Sequence, residues 1–311
     1  MKVTIVGGGG VVGSSAAYRI AQDGLASEIV LVDARQNMAE AHALDIDQAI
    51  VHKATTRVRA GELKDTKGSK VIIIAVGAAG RPFRASRASH FEDNVHILKD
   101  LLEPLAERSP SALWMIATVP VDAFVYLIHR HFSVPREKAI GVNQNDTSRF
   151  RWALAKALSV PAPSVEAFVL GEHGETMVPM FSHVRVNGET VSLNPEQKKK
   201  IRETISDFLL QWIKLQPGRT AGWTTAESIG DILLSMTSND NRVWACSTPL
   251  DGEYGFREVS LGVPVRMGPE GVKEIVEFDL DPAEQEALEV SAKVVQEQII
   301  RGQDLLKKVK P

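Results

Sequence analysis

Residues 3–13 read Val3-Thr4-Ile5-Val6-Gly7-Gly8-Gly9-Gly10-Val11-Val12-Gly13, an apolar run followed at once by a glycine-rich turn. Gly8, Gly10 and Gly13 fit the spacing G-x-G-x-x-G, and Gly7, Gly10 and Gly13 fit the related spacing G-x-x-G-x-x-G. Glycine here permits a tight turn, a close approach of the backbone to a pyrophosphate and close packing of helix on strand. A helix that starts at this point directs free N–H groups at the phosphates. The stretch predicts a strand–turn–helix unit that binds a dinucleotide.

An acidic residue strengthens this prediction. Asp33 closes the next apolar run, residues 28–32, at the distance from the turn where an acid hydrogen-bonds the ribose hydroxyls of a dinucleotide. Its charge would repel a 2′-phosphate, which favours NAD over NADP, although Arg35 nearby leaves NADP open. The alternative interpretation is a plain glycine turn with a surface aspartate.

The rest of the N-terminal half alternates short apolar strands with helical patterns. The predicted strands cover residues 3–6, 28–32, 71–76 and 113–118, and the predicted helices cover 14–22, 38–52, 93–108 and 122–131. Strands that are apolar on both faces and alternate with helices indicate a parallel sheet covered on both sides. The pattern predicts a doubly wound α/β domain over residues 1–142.

The texture changes after residue 142. Helical patterns cover residues 147–158, 195–215 and 220–236, a strand pattern covers 165–170, and residues 241–267 have the pattern of antiparallel strands. A last helix is predicted up to Lys308, with Asp281 as its N-cap, Pro282 at its first position and Glu284 completing a capping box. Residues 143–311 are therefore predicted to form a mixed α+β domain.

Composition excludes several classes of protein. The formal net charge is −3 and the pI about 6.3, so no positive excess suggests nucleic-acid binding. The longest apolar run, residues 71–79, is far too short to cross a bilayer, and no signal-peptide pattern precedes residues 3–6. The single cysteine, Cys246, rules out an internal disulfide and a cysteine-based zinc cluster. We expect a cytoplasmic protein without a metal site.

The second informative stretch is Leu170-Gly171-Glu172-His173-Gly174-Glu175-Thr176-Met177-Val178-Pro179. It places a histidine between glycines after an apolar strand, where a ligand crevice would form. Asp146 and Arg149 lie on one face of a predicted helix. A carboxylate can fix the tautomer of an imidazole and stabilise its charged form, and an arginine can bind a carboxylate through two hydrogen bonds. These residues predict an acid–base site for a small acid.

Together, the GEHG loop, the D-x-x-R pair, the glycine turn and the order of the two halves resemble the lactate/malate dehydrogenase family over essentially the whole chain. The resemblance implies a Rossmann domain for NAD, a substrate domain for a small 2-hydroxy or 2-oxo acid, and a homodimer or homotetramer. It also implies a set of residues that bind the cofactor: Gly8, Gly10, Val11, Val12, Gly13, Asp33, Gly77, Asn94 and Val119.

The resemblance also implies catalytic roles. His173 would exchange a proton with the substrate oxygen, Asp146 would orient and charge-stabilise His173, and Arg149 would bind the substrate carboxylate. Arg87, in a loop that matches the family's closing loop, would polarise the carbonyl once the loop excludes water. The alternative for Arg87 is an ordinary surface arginine.

The chain departs from the family pattern in three places: at Val119, in the segment 141–145 before Asp146, which is one residue short, and in the loop between Gly77 and Asn94. Val119 occupies the position before Pro-Val-Asp where the family has an asparagine, and Asn143 and Asn145 are two candidates for the missing amide. The loop between Gly77 and Asn94 is one residue longer than usual. If the extra residue is aligned by counting back from Arg87, Arg81 lies at the position that selects the substrate; a shift of one residue puts Gly80 there. Arg84 is a second basic candidate in the same loop. Ala221 aligns with the wall of the substrate pocket and is small, as in malate-type members of the family. Arg81 favours malate and oxaloacetate over lactate and pyruvate.

Rival interpretations remain at this point. NAD-dependent glycosidases share the glycine turn but use a metal site with a cysteine and histidines, and Cys246 has no histidine near it in sequence. A dinucleotide-binding protein that has lost catalysis would be consistent with Val119. A dehydrogenase of an unusual 2-hydroxy acid is the third possibility.

Overall fold

The computed structural model describes residues 1–77 and 87–308. In the first half of the chain, the elements are β1 (Lys2–Val6), α1 (Val11–Gln22), β2 (Glu28–Val32), α2 (Gln36–Ala49), β3 (Arg57–Ala60), β4 (Val71–Ile74), α3 (Arg87–Arg108), β5 (Leu113–Ile116), α4 (Val121–His131) and β6 (Ala139–Val142). The four predicted strands and four predicted helices are present, together with two strands that were not predicted, β3 and β6.

The second half contains four helices and several short strands: α5 (Gln144–Leu158), β7 (Val165–Glu166), β8 (Val169–Leu170), β9 (Val178–Pro179), β10 (Arg185–Val186), β11 (Glu189–Thr190), α6 (Pro195–Leu215), α7 (Trp223–Ser238), β12 (Val243–Asp251), β13 (Arg257–Gly268), β14 (Gly271–Ile275) and α8 (Pro282–Lys308).

Within the described residues the main sheet has nine strands in the order β14-β13-β12-β6-β5-β4-β1-β2-β3. The six strands from β6 to β3 are parallel, and their order reverses between β1 and β4. Ligands of doubly wound sheets bind outside the carboxyl ends of the strands at such a reversal. The predicted fold class is confirmed, and the glycine turn after β1 lies at the reversal point.

The antiparallel strands of the second half extend this same sheet. In β12, Cys246 pairs with Val142 and Ser247 pairs with Gly141 of β6. Strands β13 and β14 continue the sheet beyond β12, while β11, β10 and β7 form a separate small sheet. Because β6 leads directly into α5, this pairing places the start of α5 next to the carboxyl end of the parallel sheet.

Several boundaries differ from the sequence prediction. Helix α3 begins at Arg87 rather than near Asp93, and the strand predicted over residues 165–170 is divided into β7 and β8. The division occurs because the two halves of this segment pair with different partners, β7 with β10 and β8 with β9. Strand propensity indicates an extended segment but does not tell which neighbour it pairs with.

The capping box of α8 forms as predicted. The N–H of Glu284 donates to Oδ1 of Asp281 at 2.8 Å, and the N–H of Asp281 donates to Oε2 of Glu284 at 3.3 Å. The helix then packs along α4 and β13, which brings its middle turns beside the GEHG loop. In residues 1–77 and 87–308, no helix is both long and apolar enough to cross a membrane.

Candidate active site

The glycine turn has the geometry that a phosphate-binding turn needs. Gly7 has a positive φ of +94°, and a Cβ at Gly7 would lie 2.4 Å from the carbonyl oxygen of Ala75. A Cβ at Gly13 would lie 2.2 Å from the carbonyl oxygen of Gly7, so α1 can pack closely on the turn only because residue 13 is glycine. Gly10 precedes α1 and has no side chain to cap it, which leaves the first N–H groups of the helix open to an anion.

Asp33 lies against this turn. Its Oδ2 accepts a hydrogen bond from the N–H of Gly9 at 2.9 Å, and its Oδ1 accepts one from the N–H of Arg35 at 2.9 Å. The Arg35 side chain in turn donates to the carbonyl oxygen of Gly9 at 2.9 Å. The turn, the uncapped helix start and this carboxylate together fit the pyrophosphate and a ribose of a dinucleotide.

A cavity of about 1700 Å³ runs from the glycine turn to the start of α5. It is larger than the roughly 300–1000 Å³ usual for one small ligand, and therefore suits a cofactor together with a substrate. Most of the residues predicted to bind ligands line it: Gly10, Val11, Val12, Gly77, Asn94, Val119, Asp146, Arg149 and His173. Gly8, Gly13 and Asp33 are not among its lining residues; they shape the turn.

His173 and Asp146, which the sequence predicts to act as a pair, are in contact. Nδ1 of His173 lies 2.5 Å from Oδ2 of Asp146, and Nη1 of Arg149 donates to Oδ1 of the same carboxylate at 2.9 Å. The Asp146 side chain is 7 % exposed. Because Nδ1 of His173 is occupied by Asp146, Nε2 is the ring nitrogen that remains for a ligand.

The electrostatics of His173 follow from this pairing. Burial lowers the pKa of His173, but the negative charge of Asp146 and the hydrogen bond to it more than offset burial, so the pKa is raised. The carboxylate of Asp122 contributes in the same direction, and Arg149 opposes it. The imidazolium form is therefore favoured relative to a free histidine.

Asp122 is a residue of the site that the sequence analysis placed only at a helix start. It is 1 % exposed, and its Oδ2 accepts a hydrogen bond from the backbone N–H of His173 at 2.7 Å. Burial raises the pKa of Asp122 to about 6, although the hydrogen bond from His173 works against this shift. A signal for Asp122 was present in the sequence, because an acidic residue that follows a buried strand, here β5, lies at the edge of the sheet where ligands bind.

Glu172 attaches the GEHG loop to α8. Its Oε1 accepts a hydrogen bond from Nε2 of Gln298 at 3.0 Å, its Oε2 accepts one from the Thr176 hydroxyl at 2.6 Å, and its own N–H donates to the Ser291 hydroxyl at 2.7 Å. A Cβ at Gly174 would lie 2.4 Å from the Glu172 carboxyl carbon. The loop that carries His173 is thus fixed by contacts on both sides of the histidine.

The second wall of the cavity comes from α6 and from the segment before α7. The Phe208 ring centroid lies 5.2 Å from the guanidinium carbon of Arg149, and Met177, Trp212 and Ala221 also line the cavity. The face of the Phe208 ring packs against the Arg149 guanidinium in a cation–π contact.

Four predicted positions lie outside this description. Gly80, Arg81 and Arg84 belong to residues 78–86, which are not described, and of Arg87 only the backbone at the start of α3 is described. Their roles stay predictions.

Cys246 lies inside β12, fully buried, and burial raises the pKa of its thiol to about 12. A thiol with such a pKa is a poor metal ligand because the thiolate is the form that binds metals.

Comparisons with known proteins identify the family of this chain. Residues 1–141 match the family model of the lactate/malate dehydrogenase NAD binding domain, and residues 144–306 match that of the lactate/malate dehydrogenase alpha/beta C-terminal domain. A malate dehydrogenase of Haloarcula marismortui is 33% identical over 96% of this chain and 98% of its own. An L-lactate dehydrogenase of Latilactobacillus sakei is 31% identical over 97% and 94%, respectively.

A solved structure shares the whole fold. The lactate dehydrogenase of Cryptosporidium parvum, in complex with lactic acid and nicotinamide adenine dinucleotide, superimposes with a TM-score of 0.91 at 29% identity and covers 97% of this chain and 98% of that one. The chain therefore belongs to the lactate/malate dehydrogenase family and is an NAD-dependent 2-hydroxy acid dehydrogenase.

Proposed function

We propose that this enzyme interconverts malate and oxaloacetate in preference to lactate and pyruvate. The triad of His173, Asp146 and Arg149, at one end of a cavity whose other end is the glycine turn, supports the chemistry on a 2-hydroxy acid. The observation that carries the preference for a dicarboxylate is Ala221 in the wall of this cavity. The small side chain of Ala221 in the cavity wall leaves room for a second carboxylate, and Arg81 or Arg84 would supply its charge partner. The malate dehydrogenase of Haloarcula marismortui is among the similar proteins.

In the proposed reaction, bound NADH would supply the hydride to C2, and the chain would supply binding and the proton. Arg149 holds the substrate carboxylate, and Nε2 of His173 donates its proton to the oxygen at C2 as the C=O bond becomes a C–O single bond. The Asp146 carboxylate stabilises the imidazolium before transfer. Closure over the cavity by the segment that contains Arg87 would exclude water and polarise the carbonyl. Oxidation of the 2-hydroxy acid reverses each step.

The two halves of the chain would divide these tasks. We assign NAD to residues 1–142, which contain the glycine turn, Gly77, Asn94 and Val119, and the substrate to residues 143–311. Asn94 supports this assignment because its Nδ2 donates to the carbonyl oxygen of Val119 at 2.8 Å and so fixes the cavity wall after β5.

We also propose a homodimer or homotetramer, in the cytoplasm. Large apolar side chains are exposed on α2, in the turn after it and at the start of α7: Leu44 at 67%, Val51 at 68% and Trp223 at 65%. Helix α1 contacts both α2 and α7. Exposed apolar side chains on such neighbouring surface elements are typical of a surface that another subunit covers. Sedimentation velocity tests the assembly, and a concentration-independent monomer would contradict it.

A panel of 2-oxo acids tests the proposed substrate. NADH oxidation is followed at 340 nm with oxaloacetate, pyruvate and bulkier 2-oxo acids, and we expect kcat/KM for oxaloacetate to exceed that for pyruvate by at least about tenfold, because a second carboxylate adds a charged contact. A preference for pyruvate would indicate that Gly80 occupies the substrate-selecting position, and it would contradict the proposal that the substrate is a dicarboxylic acid. NADH binding without turnover of any acid would indicate a protein that has lost catalysis.

The raised pKa of His173 predicts the pH dependence. Reduction of the 2-oxo acid needs the imidazolium, so kcat/KM in this direction should fall as pH rises through the His173 pKa, above the usual value of about 6.5. Oxidation needs the neutral ring and should rise through the same pKa. In Asp146→Asn both profiles should shift to lower pH, because the carboxylate that raises the pKa is gone. Profiles that keep their inflection in Asp146→Asn would contradict this cause.

A further inference from the structure

Three amide side chains precede Asp146 at the start of α5, and the fold uses two of them. Nδ2 of Asn143 donates to Oδ1 of Asp122 at 3.2 Å. Oε1 of Gln144 accepts a hydrogen bond from the N–H of Ala245 in β12 at 2.9 Å, which ties α5 to the antiparallel strands. Asn143 and Gln144 each make a contact at the sheet edge, although Oδ1 of Asn143 is also buried without a hydrogen-bond partner among the described residues. Unlike Asn145, neither of the two lines the cavity.

The third amide is that of Asn145. Asn145 is 4% exposed and lines the cavity together with Asp146, Arg149 and His173. Its Oδ1 is buried and, among the described residues, has no hydrogen-bond partner. A buried amide oxygen without a partner is unfavourable, because its hydration is lost and nothing replaces it. Because Asn145 lines the cavity, a bound ligand, or water before a ligand binds, can supply this partner.

The position of Asn145 indicates which part of the ligand it meets. Asn145 and Arg149 are four residues apart in α5 and therefore lie on the same face of the helix, one turn apart. Nε of Arg149 is also buried without a partner among the described residues. Two unsatisfied polar groups thus point from one helix face into the part of the cavity that contains His173.

We propose that the side-chain amide of Asn145 hydrogen-bonds the oxygen at C2 of the bound acid and is a substrate-binding residue of this enzyme; this rests on the proposed function. An amide carries both a donor and an acceptor. Nδ2 can donate to the 2-oxo oxygen and Oδ1 can accept from the 2-hydroxyl, so one side chain serves both oxidation states. Val119 lines the same cavity, and its side chain has no hydrogen-bonding group.

The test removes the amide and keeps its approximate size. In Asn145→Leu, we expect kcat/KM for the preferred 2-oxo acid to fall by about ten- to a hundredfold, with the Kd of NADH within twofold of wild type. The matched control is Ser148→Ala on the same helix, whose hydroxyl donates to the carbonyl oxygen of Gln144 at 3.1 Å and which does not line the cavity. Its kcat/KM should stay within twofold.

A second measurement does not depend on turnover. L-malate and L-lactate cannot react with an enzyme that holds NADH, because both partners are reduced, so titration of these acids into the enzyme–NADH complex measures binding alone. We expect Asn145→Leu to weaken the binding of the preferred acid by at least about tenfold. If wild type binds the acid without turnover, the proposed function fails, and loss of this binding in Asn145→Leu still supports the inference.

Two results would overturn the inference. Turnover and acid binding of Asn145→Leu within twofold of wild type would show that the amide does not contact the acid. A weakened Kd for NADH with unchanged binding of the acid would assign Asn145 to the carboxamide of the cofactor instead. An absence of both turnover and acid binding in wild type would overturn both the inference and the proposed function.

Discussion

Replacement of His173 by alanine is expected to lower kcat for reduction of the 2-oxo acid by about 10²–10⁴-fold, the usual contribution of a general acid. In the proposed mechanism the proton would then have to come from water, which is not held at the C2 oxygen as Nε2 of His173 would be. NADH binding should change by less than threefold, because the glycine turn and Asp33 do not contact His173. Stopped-flow or steady-state absorbance at 340 nm gives kcat, and quenching of protein fluorescence gives the Kd of NADH.

The structure shows why this variant should fold. The backbone N–H of His173 donates to Asp122, and this contact remains in alanine. Glu172 keeps its contacts with α8, and Asp146 keeps its ion pair with Arg149. His52, exposed in the turn after α2, is the matched control: His52→Ala should retain full activity. A parallel loss of NADH binding and kcat in His173→Ala would point to a structural role for the histidine.

The sequence was sufficient for the parts of the fold that depend on local pattern. The alternation of strands and helices, the strand–turn–helix unit at residues 3–13 and the capping box at Asp281 all follow from neighbouring residues, and each is present. The extension of the sheet by β12 could not be foreseen in the same way. The pairing of Cys246 with Val142 joins distant segments, and periodicity specifies neither partner nor register.

Only part of the candidate site could be predicted from the sequence. His173 and Asp146 are 27 residues apart, and their pairing was implied by the resemblance to a known family. The contacts that fix the loop were not foreseen, because they come from elsewhere in the chain: Asp122 from the start of α4, and Ser291 and Gln298 from α8. The hydrogen-bonding partners of a buried loop come from whichever segments the fold brings next to it, so no local sequence motif predicts them.

The second large effect is expected at Arg149. In Arg149→Lys, KM for the 2-oxo acid should rise by roughly 10–150-fold, which corresponds to the loss of about 1.5–3 kcal/mol for a hydrogen bond to a charged group. Nη1 of Arg149 already donates to Asp146, and the guanidinium has further N–H groups for a carboxylate. A lysine has one ammonium, which cannot serve Asp146 and also grip a carboxylate through two parallel bonds. Because the charge is retained, kcat should fall less than KM rises.

Arg151 provides the matched control for this prediction. It lies two residues further along α5, donates from Nε to the carbonyl oxygen of Ala167 at 3.0 Å and packs over Phe168. It does not line the cavity. Arg151→Lys should therefore lower the melting temperature without a change in KM, whereas Arg149→Lys should change KM first. An unchanged KM in Arg149→Lys would show that Arg149 does not bind the substrate carboxylate. The arginines that precede α3 in the sequence would then be the remaining candidates. In that case Asn145 would no longer be expected beside the bound acid.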